Sequence, residues 1–202
     1  MPICVLTSGG FDSNILVARM LERYERVYPL YVRCGLVWEE AELYWLKKYL
    51  KALKNKKIHP LTVVSMPVSD LDKKSWATTG RGTPGYRSAD ERVYLPGRNL
   101  LLLSKGTIFC AAHHIPTLAV GTLKGNPFSD ATPRFFRNFS QLASQALNFR
   151  IRIVTPFVKL KKHALLKKSR GLPLHLTFSC LAPRGLKPCG RCNKCAERDR
   201  LP

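Results

Sequence analysis

The chain has 202 residues and a formal net charge of +21, from 34 basic and 13 acidic side chains. This length fits one globular domain, and a content of 45% hydrophobic and 23% charged residues excludes wholesale disorder. No apolar run approaches the roughly 18 residues of a membrane helix, and residues 1–6 lack the basic region of a secretory signal, so we expect a cytoplasmic protein without a membrane partner.

The excess of positive charge lies in the second half of the chain. Residues 1–91 carry 14 basic and 10 acidic side chains, whereas residues 92–202 carry 20 and 3. Such asymmetry favours an anionic partner such as a nucleotide or a nucleic acid. A solvated basic surface with only nonspecific affinity for nucleic acid explains it equally well, because charge governs solubility and encounter rather than chemistry.

Short apolar runs alternate along the chain with longer segments of helical periodicity. Strands are predicted at 3–6, 29–34, 61–66, 117–121 and 151–154, and helices at 15–21, 39–53, 99–112 and 135–148. Asp12 and Ser13 are expected to cap the first helix. This alternation predicts an α/β fold, a mostly parallel sheet flanked by helices, in which ligands bind at the carboxyl ends of the strands.

A long segment at 78–90 interrupts this alternation. It is rich in Gly, Pro and polar residues, and its length is typical of an active-site lid. Residues 80–85 have the spacing GxGxxG, but no strand precedes them and Pro84 falls where the helix would begin. We therefore reject a dinucleotide-binding loop.

The turn between the first strand and the first helix reads Ser8-Gly9-Gly10-Phe11-Asp12-Ser13. Its two glycines let the backbone approach an anion, and its amides and hydroxyls lie at the positive end of the helix dipole. It is not a Walker loop, because it lacks Gly-Lys-Ser/Thr. A glycine-rich turn with a polar cap is the alternative, but the six-residue match favours phosphate binding. The turn resembles the SGGxDS loop of the PP-loop ATP pyrophosphatases, which holds the pyrophosphate of ATP.

Four of the seven cysteines cluster near the C-terminus. They are Cys180, Cys189, Cys192 and Cys195. Four thiolates at this spacing can surround one tetrahedral ion and leave no open coordination position, which indicates structural zinc. A redox pair is the alternative, but it needs only two thiols. We therefore expect a zinc-binding segment over 179–202 that packs on a PP-loop α/β domain over 1–178.

Further short motifs follow the phosphate loop in order. Residues 94–99 are similar to a VPGRN segment, and Thr155-Pro156 with Lys162 is similar to a TPL…K segment. Residues 177–180 and 189–195 are similar to TxSC and CGxCxxC motifs, with the same intervals between cysteines. In this order and spacing the motifs resemble those of the 7-cyano-7-deazaguanine synthase family, or of a close paralogue.

The resemblance implies an ATP-dependent carbon–nitrogen ligase of queuosine biosynthesis. In this family 7-carboxy-7-deazaguanine is adenylated by ATP, and ammonia displaces AMP to give an amide. A second adenylation leads to the nitrile, 7-cyano-7-deazaguanine. ATP, Mg²⁺, ammonia and the deazaguanine are thus the implied small molecules beside structural zinc, and the homodimers of the family allow a homodimer here.

The resemblance also assigns candidate site residues. The catalytic candidates are Ser8, Asp12, Ser13, Arg98 and Lys162. The nucleotide-binding candidates are Ser8, Gly9, Gly10, Phe11, Asp12, Ser13, Gly35, Gly97, Arg98, Asn99 and Gly121. Arg98 and Lys162 would neutralise phosphate charge that the loop does not cover. A helix-entry role for Arg98 and a surface position for Lys162 explain these two residues without a ligand.

Three segments depart from the family pattern. Asn14 stands where the family has a threonine, and residues 33–36 keep only the glycine of its DYGQ segment. Residues 126–131 match its YPDC substrate segment in outline only. A paralogue that stops at the amide or joins the deazaguanine to another acceptor is therefore open. The sequence also allows a PP-loop enzyme that modifies a tRNA base, or a noncatalytic zinc-containing protein that binds nucleic acid.

Overall fold

The computed structural model describes residues 1–167 and 169–200, so the last two residues of the expected zinc-binding segment lie outside the described residues. Its strands are β1 (Pro2–Leu6), β2 (Arg26–Arg33), β3 (Thr62–Ser65), β4 (Thr117–Ala119) and β5 (Arg152–Val154). They form one sheet in the order β3-β2-β1-β4-β5, and every neighbouring pair is parallel. The predicted parallel sheet is confirmed.

Seven α-helices accompany the sheet in the described part of the chain. They are α1 (Phe11–Arg23), α2 (Glu39–Ala52), α3 (Trp76–Thr79), α4 (Arg98–Ala112), α5 (Pro133–Ala146), α6 (Lys162–Lys167) and α7 (Asn193–Asp199). Of the helices in residues 1–167 and 169–200, none combines the length and the apolar content that crossing a membrane requires.

Alternate residues of β1 enter two cores on opposite faces of the sheet. Cys4 and Leu6 pack with buried residues of α4 and α5, whereas Ile3 and Val5 pack with those of α1 and α6. Because both faces of the sheet are covered, its strands read as nearly continuous apolar runs. The cover also leaves the carboxyl ends of the strands as the place where polar loops meet.

The start of β2 differs from the prediction. The strand begins at Arg26 rather than at Pro29, and Pro29 lies opposite Val5 in the parallel register. A proline removes a single N–H from a ladder. The β1–β2 residue pairs on either side of Pro29 therefore maintain the strand at this position.

The expected cap of α1 is also wrong. The helix begins at Phe11, and Gly10 is the N-cap residue without a side-chain hydrogen bond. Asp12 and Ser13 instead lie in the first turn, where their side chains bond to Lys162 and to the preceding loop. Both side chains are thereby free of the capping role and available at the loop.

The C-terminal segment lies against the loop at the end of β1 and against residues 78–90. The Phe178 N–H donates to the Gly9 carbonyl at 2.8 Å. Asn193, at the start of α7, donates from its backbone to Pro84 O at 3.0 Å and from its side chain to Ser88 O at 2.7 Å. The segment expected to act as a lid is thus anchored to the cysteine-bearing segment.

Candidate active site and metal centre

A cavity of about 340 Å³ opens at the carboxyl ends of β1, β2 and β4. Most of the predicted site residues line it. Those residues are Ser8, Gly10, Phe11, Asp12, Ser13, Arg98, Asn99, Gly121 and Lys162. Residues 78–90 do not line the cavity. The first lining residue after this segment is Val93.

Three predicted nucleotide-binding glycines do not line the cavity. Gly9 has a φ of 77°, and a Cβ there would lie 3.0 Å from the Glu42 carbonyl oxygen. Gly35 and Gly97 have φ values of 79° and 72° in the turns that precede α2 and α4. Their place in the chain is explained by left-handed turns and by a close backbone approach, not by exposure to the cavity.

Hydrogen bonds between hydroxyls and backbone shape the phosphate loop. Ser13 Oγ accepts from the Ser8 N–H at 3.1 Å and donates to the Gly10 carbonyl at 3.2 Å. Ser8 Oγ lies 3.2 Å from Ser13 Oγ and accepts from the Gly10 N–H at 3.4 Å. These groups gather at the N-terminus of α1, where the helix dipole favours an anion.

A buried acidic side chain, Glu42, and a half-buried guanidinium, Arg98, line another wall of the cavity. Glu42 is 8% exposed, and its Oε2 accepts from the Tyr31 hydroxyl at 2.7 Å. Burial raises the pKa of Glu42 to about 8, although Arg98 and the Tyr31 hydrogen bond act in the opposite direction. Arg98 Nε is buried and has no hydrogen-bond partner among the residues that the structure describes. An unmade buried hydrogen bond costs about 1–3 kcal/mol, so this donor fits a site that a ligand acceptor completes.

The sequence analysis missed Glu42, but the sequence does carry a signal. Glu39, Glu42, Leu46 and Tyr49 recur at helical spacing on one face of α2, and all four are buried. An acidic residue on a buried face is unusual unless it is paired or functional. The helix dipole also favours acidic residues in a first turn. Position in the first turn alone therefore does not distinguish a buried functional acid from an exposed one.

Charged side chains from three helices form a network beside the phosphate loop. Lys162 Nζ lies 2.7 Å from Asp12 Oδ1 and 3.1 Å from Glu197 Oε1, and Lys194 Nζ lies 2.6 Å from Glu197 Oε2. All four residues line the cavity, so Lys162 is not a surface lysine. Burial raises the pKa of Asp12, and Lys162 opposes that rise. The sequence analysis did not assign Lys194 or Glu197 to the site.

The segment that departs from the family's substrate pattern also reaches the cavity. Asn126, Phe128 and Asp130 line it, and the Phe128 ring stacks on Tyr94 with centroids 4.7 Å apart. Asp130 is buried, and its Oδ2 accepts from the Asn99 backbone at 3.0 Å. Asn99 therefore holds this segment against the start of α4.

The four clustered cysteines bring their sulfurs together. All four Sγ atoms of Cys180, Cys189, Cys192 and Cys195 lie within 4.8 Å of one another. Measured pairs are 3.5, 3.9 and 4.0 Å apart, close to the edge of about 3.8 Å that a tetrahedron with zinc–sulfur bonds of about 2.3 Å would have. The geometry and the donor set therefore fit a structural zinc ion.

Backbone amides also point at these sulfurs. The Cys189 N–H donates to Cys180 Sγ at 3.2 Å, and the Leu181 N–H donates to Cys192 Sγ at 3.4 Å. The neighbouring Cys180 sulfur and the hydrogen bond from the Leu181 amide lower the pKa of Cys192. Amide donors stabilise thiolate, which is the form that binds a metal.

The sequence model of one protein family, described as "Queuosine biosynthesis protein QueC", matches residues 2–201 of the chain. The chain belongs to the QueC family. One relative of this QueC chain is "7-cyano-7-deazaguanine synthase 1" of Desulfitobacterium hafniense strain Y51, 30% identical over 203 residues that cover 98% of this chain and 90% of that protein. Another is "7-cyano-7-deazaguanine synthase" of Pyrococcus horikoshii, 28% identical over 219 residues that cover 97% of this chain and 90% of that protein. The resemblance predicted from the motifs is confirmed.

Solved structures share the fold of the QueC chain. The U34-tRNA thiolase NcsA of Methanococcus maripaludis has a TM-score of 0.53 at 11% identity and covers 94% of this chain and 62% of its own. A 4-thiouridine synthetase in complex with RNA and ATP has a TM-score of 0.53 at 15% identity. The match covers 98% of this chain and 49% of the synthetase chain. At these identities the likeness establishes the fold alone, and the predicted PP-loop type of α/β fold is confirmed.

Proposed function

We propose that the chain is an ATP-dependent synthase that converts 7-carboxy-7-deazaguanine and ammonia to 7-cyano-7-deazaguanine. One observation carries the proposal: the loop hydroxyls, the unpartnered Arg98 Nε and the Lys162 ammonium converge on one cavity in the described part of the chain. Such a convergence suits a polyphosphate beside an acidic substrate. Membership of the QueC family and the names of its relatives supply the substrate.

In the proposed reaction a carboxylate oxygen of the substrate attacks the α-phosphorus of ATP, and pyrophosphate leaves. Ammonia then attacks the acyl carbon, and AMP leaves to give the amide. The amide oxygen attacks the α-phosphorus of a second ATP, and pyrophosphate leaves. The C–O bond then breaks, AMP leaves, and the nitrogen loses its two protons to give the nitrile. Each adenylation demands alignment of two reactants and neutralisation of charge that develops on pyrophosphate.

The chain's own groups meet these demands in different places. The amides and hydroxyls of Ser8 and Ser13 would hold the pyrophosphate, and Mg²⁺ would supply further positive charge there. Lys162, fixed by Asp12 at 2.7 Å beside the loop, would add positive charge next to the phosphates. Arg98 would bind an anionic oxygen through its buried Nε.

We further propose that residues 1–178 form the catalytic α/β unit and that the segment from residue 179 is a zinc-bound part of it. When bound, zinc would supply a structural cross-link between Cys180 and the start of α7 through Cys192 and Cys195. No chemical step needs it. The Phe178 amide, immediately before this segment, donates to Gly9 O at 2.8 Å, so the segment begins beside the phosphate loop.

The test combines the purified chain with ATP, Mg²⁺, ammonia and 7-carboxy-7-deazaguanine, and mass spectrometry identifies the products. We expect the nitrile, together with AMP and pyrophosphate. Accumulation of the amide alone would replace the proposal with a paralogue that stops one step earlier. Release of AMP only after addition of tRNA would replace it with a tRNA-modifying enzyme, and no turnover with any substrate would leave a nucleic-acid binder.

A further inference from the structure

The cysteine-bearing segment contributes more to the cavity than a cross-link. We propose that Lys194, which lies between Cys192 and Cys195, is a phosphate-binding residue of the nucleotide site, and that Glu197 positions it. This inference rests on the function proposed above, because it assumes that ATP occupies the cavity. It assigns to α7 a direct part in ligand binding, in addition to metal binding.

The first observation is the place of α7 in the cavity wall. Lys194 and Glu197 line the same cavity as the phosphate loop, and both come from the helix that carries Cys195. Lys162 Nζ bridges from Glu197 Oε1, at 3.1 Å, to Asp12 Oδ1, at 2.7 Å. The network therefore runs without a gap from α7 to the first turn of α1.

The second observation is the number of free donors. A lysine ammonium carries three N–H groups and no acceptor. Lys162 uses two of them on Asp12 and Glu197, whereas Lys194 has Glu197 as its one partner within 1–167 and 169–200. Lys194 thus keeps two donors for ligand oxygens, and Lys162 keeps one.

The third observation is that the ammonium groups are held before a ligand arrives. Glu197 contacts both lysines at 2.6 and 3.1 Å, so the side chains do not have to be ordered by the ligand. Binding then loses less side-chain entropy than it would with free lysines. The two carboxylates also balance the charge of the two lysines, and this offsets the repulsion between the lysines when no ligand is bound.

The fourth observation is the rigid attachment of α7. Arg198 Nη1 donates to the Thr177 carbonyl at 2.7 Å, and its guanidinium lies 4.9 Å from the centroid of the Phe11 ring in the phosphate loop. Asn193 fixes the other end of the helix to residues 84–90. These contacts set the distance between Lys194 and the loop.

The test compares two variants of equal net charge. Lys194→Met removes the proposed contact, and Lys187→Met removes an exposed lysine of the same segment that does not line the cavity. Calorimetric titration with Mg²⁺ and a nonhydrolysable ATP analogue, at fixed ionic strength, measures the Kd. We expect Lys194→Met to bind about ten-fold more weakly than the unchanged chain, as the loss of one hydrogen bond to a charged group implies. Lys187→Met should match the unchanged chain, and Lys194→Arg should recover most of the affinity.

Glu197→Gln distinguishes a role of Glu197 in positioning the lysines from a purely electrostatic effect on the phosphates. It removes a negative charge beside the phosphates, so electrostatics alone predicts tighter binding. Loss of positioning predicts weaker binding, and we expect a Kd about three-fold higher, because the two lysines must then be ordered by the ligand. Tighter binding by this variant would overturn the role of Glu197.

The outcomes distinguish the inference from the proposed function. If the unchanged chain does not bind the analogue, the proposed function fails. If it binds and Lys194→Met binds as tightly as Lys187→Met, the role of Lys194 is overturned. Each variant is analysed for metal, because position 194 lies between two cysteine ligands. Lys194→Gln, which keeps a polar side chain, replaces Lys194→Met if the methionine lowers the metal content.

Discussion

Glu42 and Arg98 share one wall of the cavity, and they differ in how their polar atoms are paired. Glu42 accepts one hydrogen bond, from Tyr31, and Arg98 Nε has no partner in the described part of the chain. Natural proteins pair almost all of their buried polar groups. A guanidinium donor left without a partner beside a cavity therefore indicates a ligand with a hydrogen-bond acceptor.

The pKa of Glu42 leads to a prediction about stability. Burial raises this pKa from its ordinary 4.5 to about 8, so the folded chain retains a proton that the unfolded chain releases between these values. The free energy of unfolding should therefore fall as pH rises from about 5 to 8.5. Glu42→Gln has no such proton, and we expect it to gain more than about 1 kcal/mol relative to the unchanged chain over this range.

Urea unfolding at pH 5.5 and at pH 8.5 measures this difference. Glu40→Gln, which replaces an exposed carboxylate on the same helix, is the matched control. A difference between Glu42→Gln and the unchanged chain that stays constant with pH would contradict the assigned burial of Glu42.

Ser8 supports a second prediction at this scale. Its hydroxyl accepts from the Gly10 amide and lies 3.2 Å from Ser13 Oγ, at the cavity. Ser8→Ala should lower the rate of AMP formation about 100-fold, as the loss of one donor to developing charge typically does. Exposed Ser69 provides the control Ser69→Ala, and product analysis by chromatography gives both rates. Retention of the full rate by Ser8→Ala would place the phosphate site elsewhere.

The elements that the sequence predicts well are those with a local signal. The strands of the sheet are apolar runs, and the phosphate loop is a contiguous motif, so both can be read directly. Lys194 and Glu197 have no such signal, because Lys162, which contacts Glu197, lies more than 30 residues away in the chain and becomes a neighbour only through the docking of α7. Tertiary contacts of this range are not encoded in periodicity or spacing.

The cysteine segment yields a prediction at the scale of elements. Hydrogen bonds join it to the remainder of the described chain, among them Trp45 Nε1 to Leu186 O at 2.8 Å and Asn193 N to Pro84 O at 3.0 Å. We expect about one zinc per chain in the purified protein. Cys192→Ser should lose it, with a fall of at least about 2 kcal/mol in the free energy of unfolding.

Metal analysis and thiol titration test this prediction, and thermal unfolding follows the stability. Cys34→Ala is the control, because Cys34 is buried outside the quartet. Well under one zinc per chain in the unchanged protein, with all four thiols reactive, would show that the quartet is not a metal site.

At the scale of the whole molecule, the positive charge exceeds what one nucleotide requires. Residues 92–202 carry 20 basic and 3 acidic side chains, and the cavity uses only a few of them. Charge in such excess attracts any polyanion. This attraction weakens as the salt concentration rises, because binding releases counterions. We therefore expect substrate recognition in the cavity and attraction of polyanions to the surface to be separable.

This separation can be measured with a 20-nucleotide RNA and its scrambled counterpart. We expect equal affinities for both, and a fall of about 300-fold between 50 and 200 mM salt if about six phosphates are contacted. RNA at saturating concentration should leave the rate of AMP formation from the deazaguanine substrate within about two-fold, because ATP would be held by hydrogen bonds inside the cavity, where salt screens least. AMP formation that depends on an added tRNA would contradict this prediction and favour a tRNA substrate.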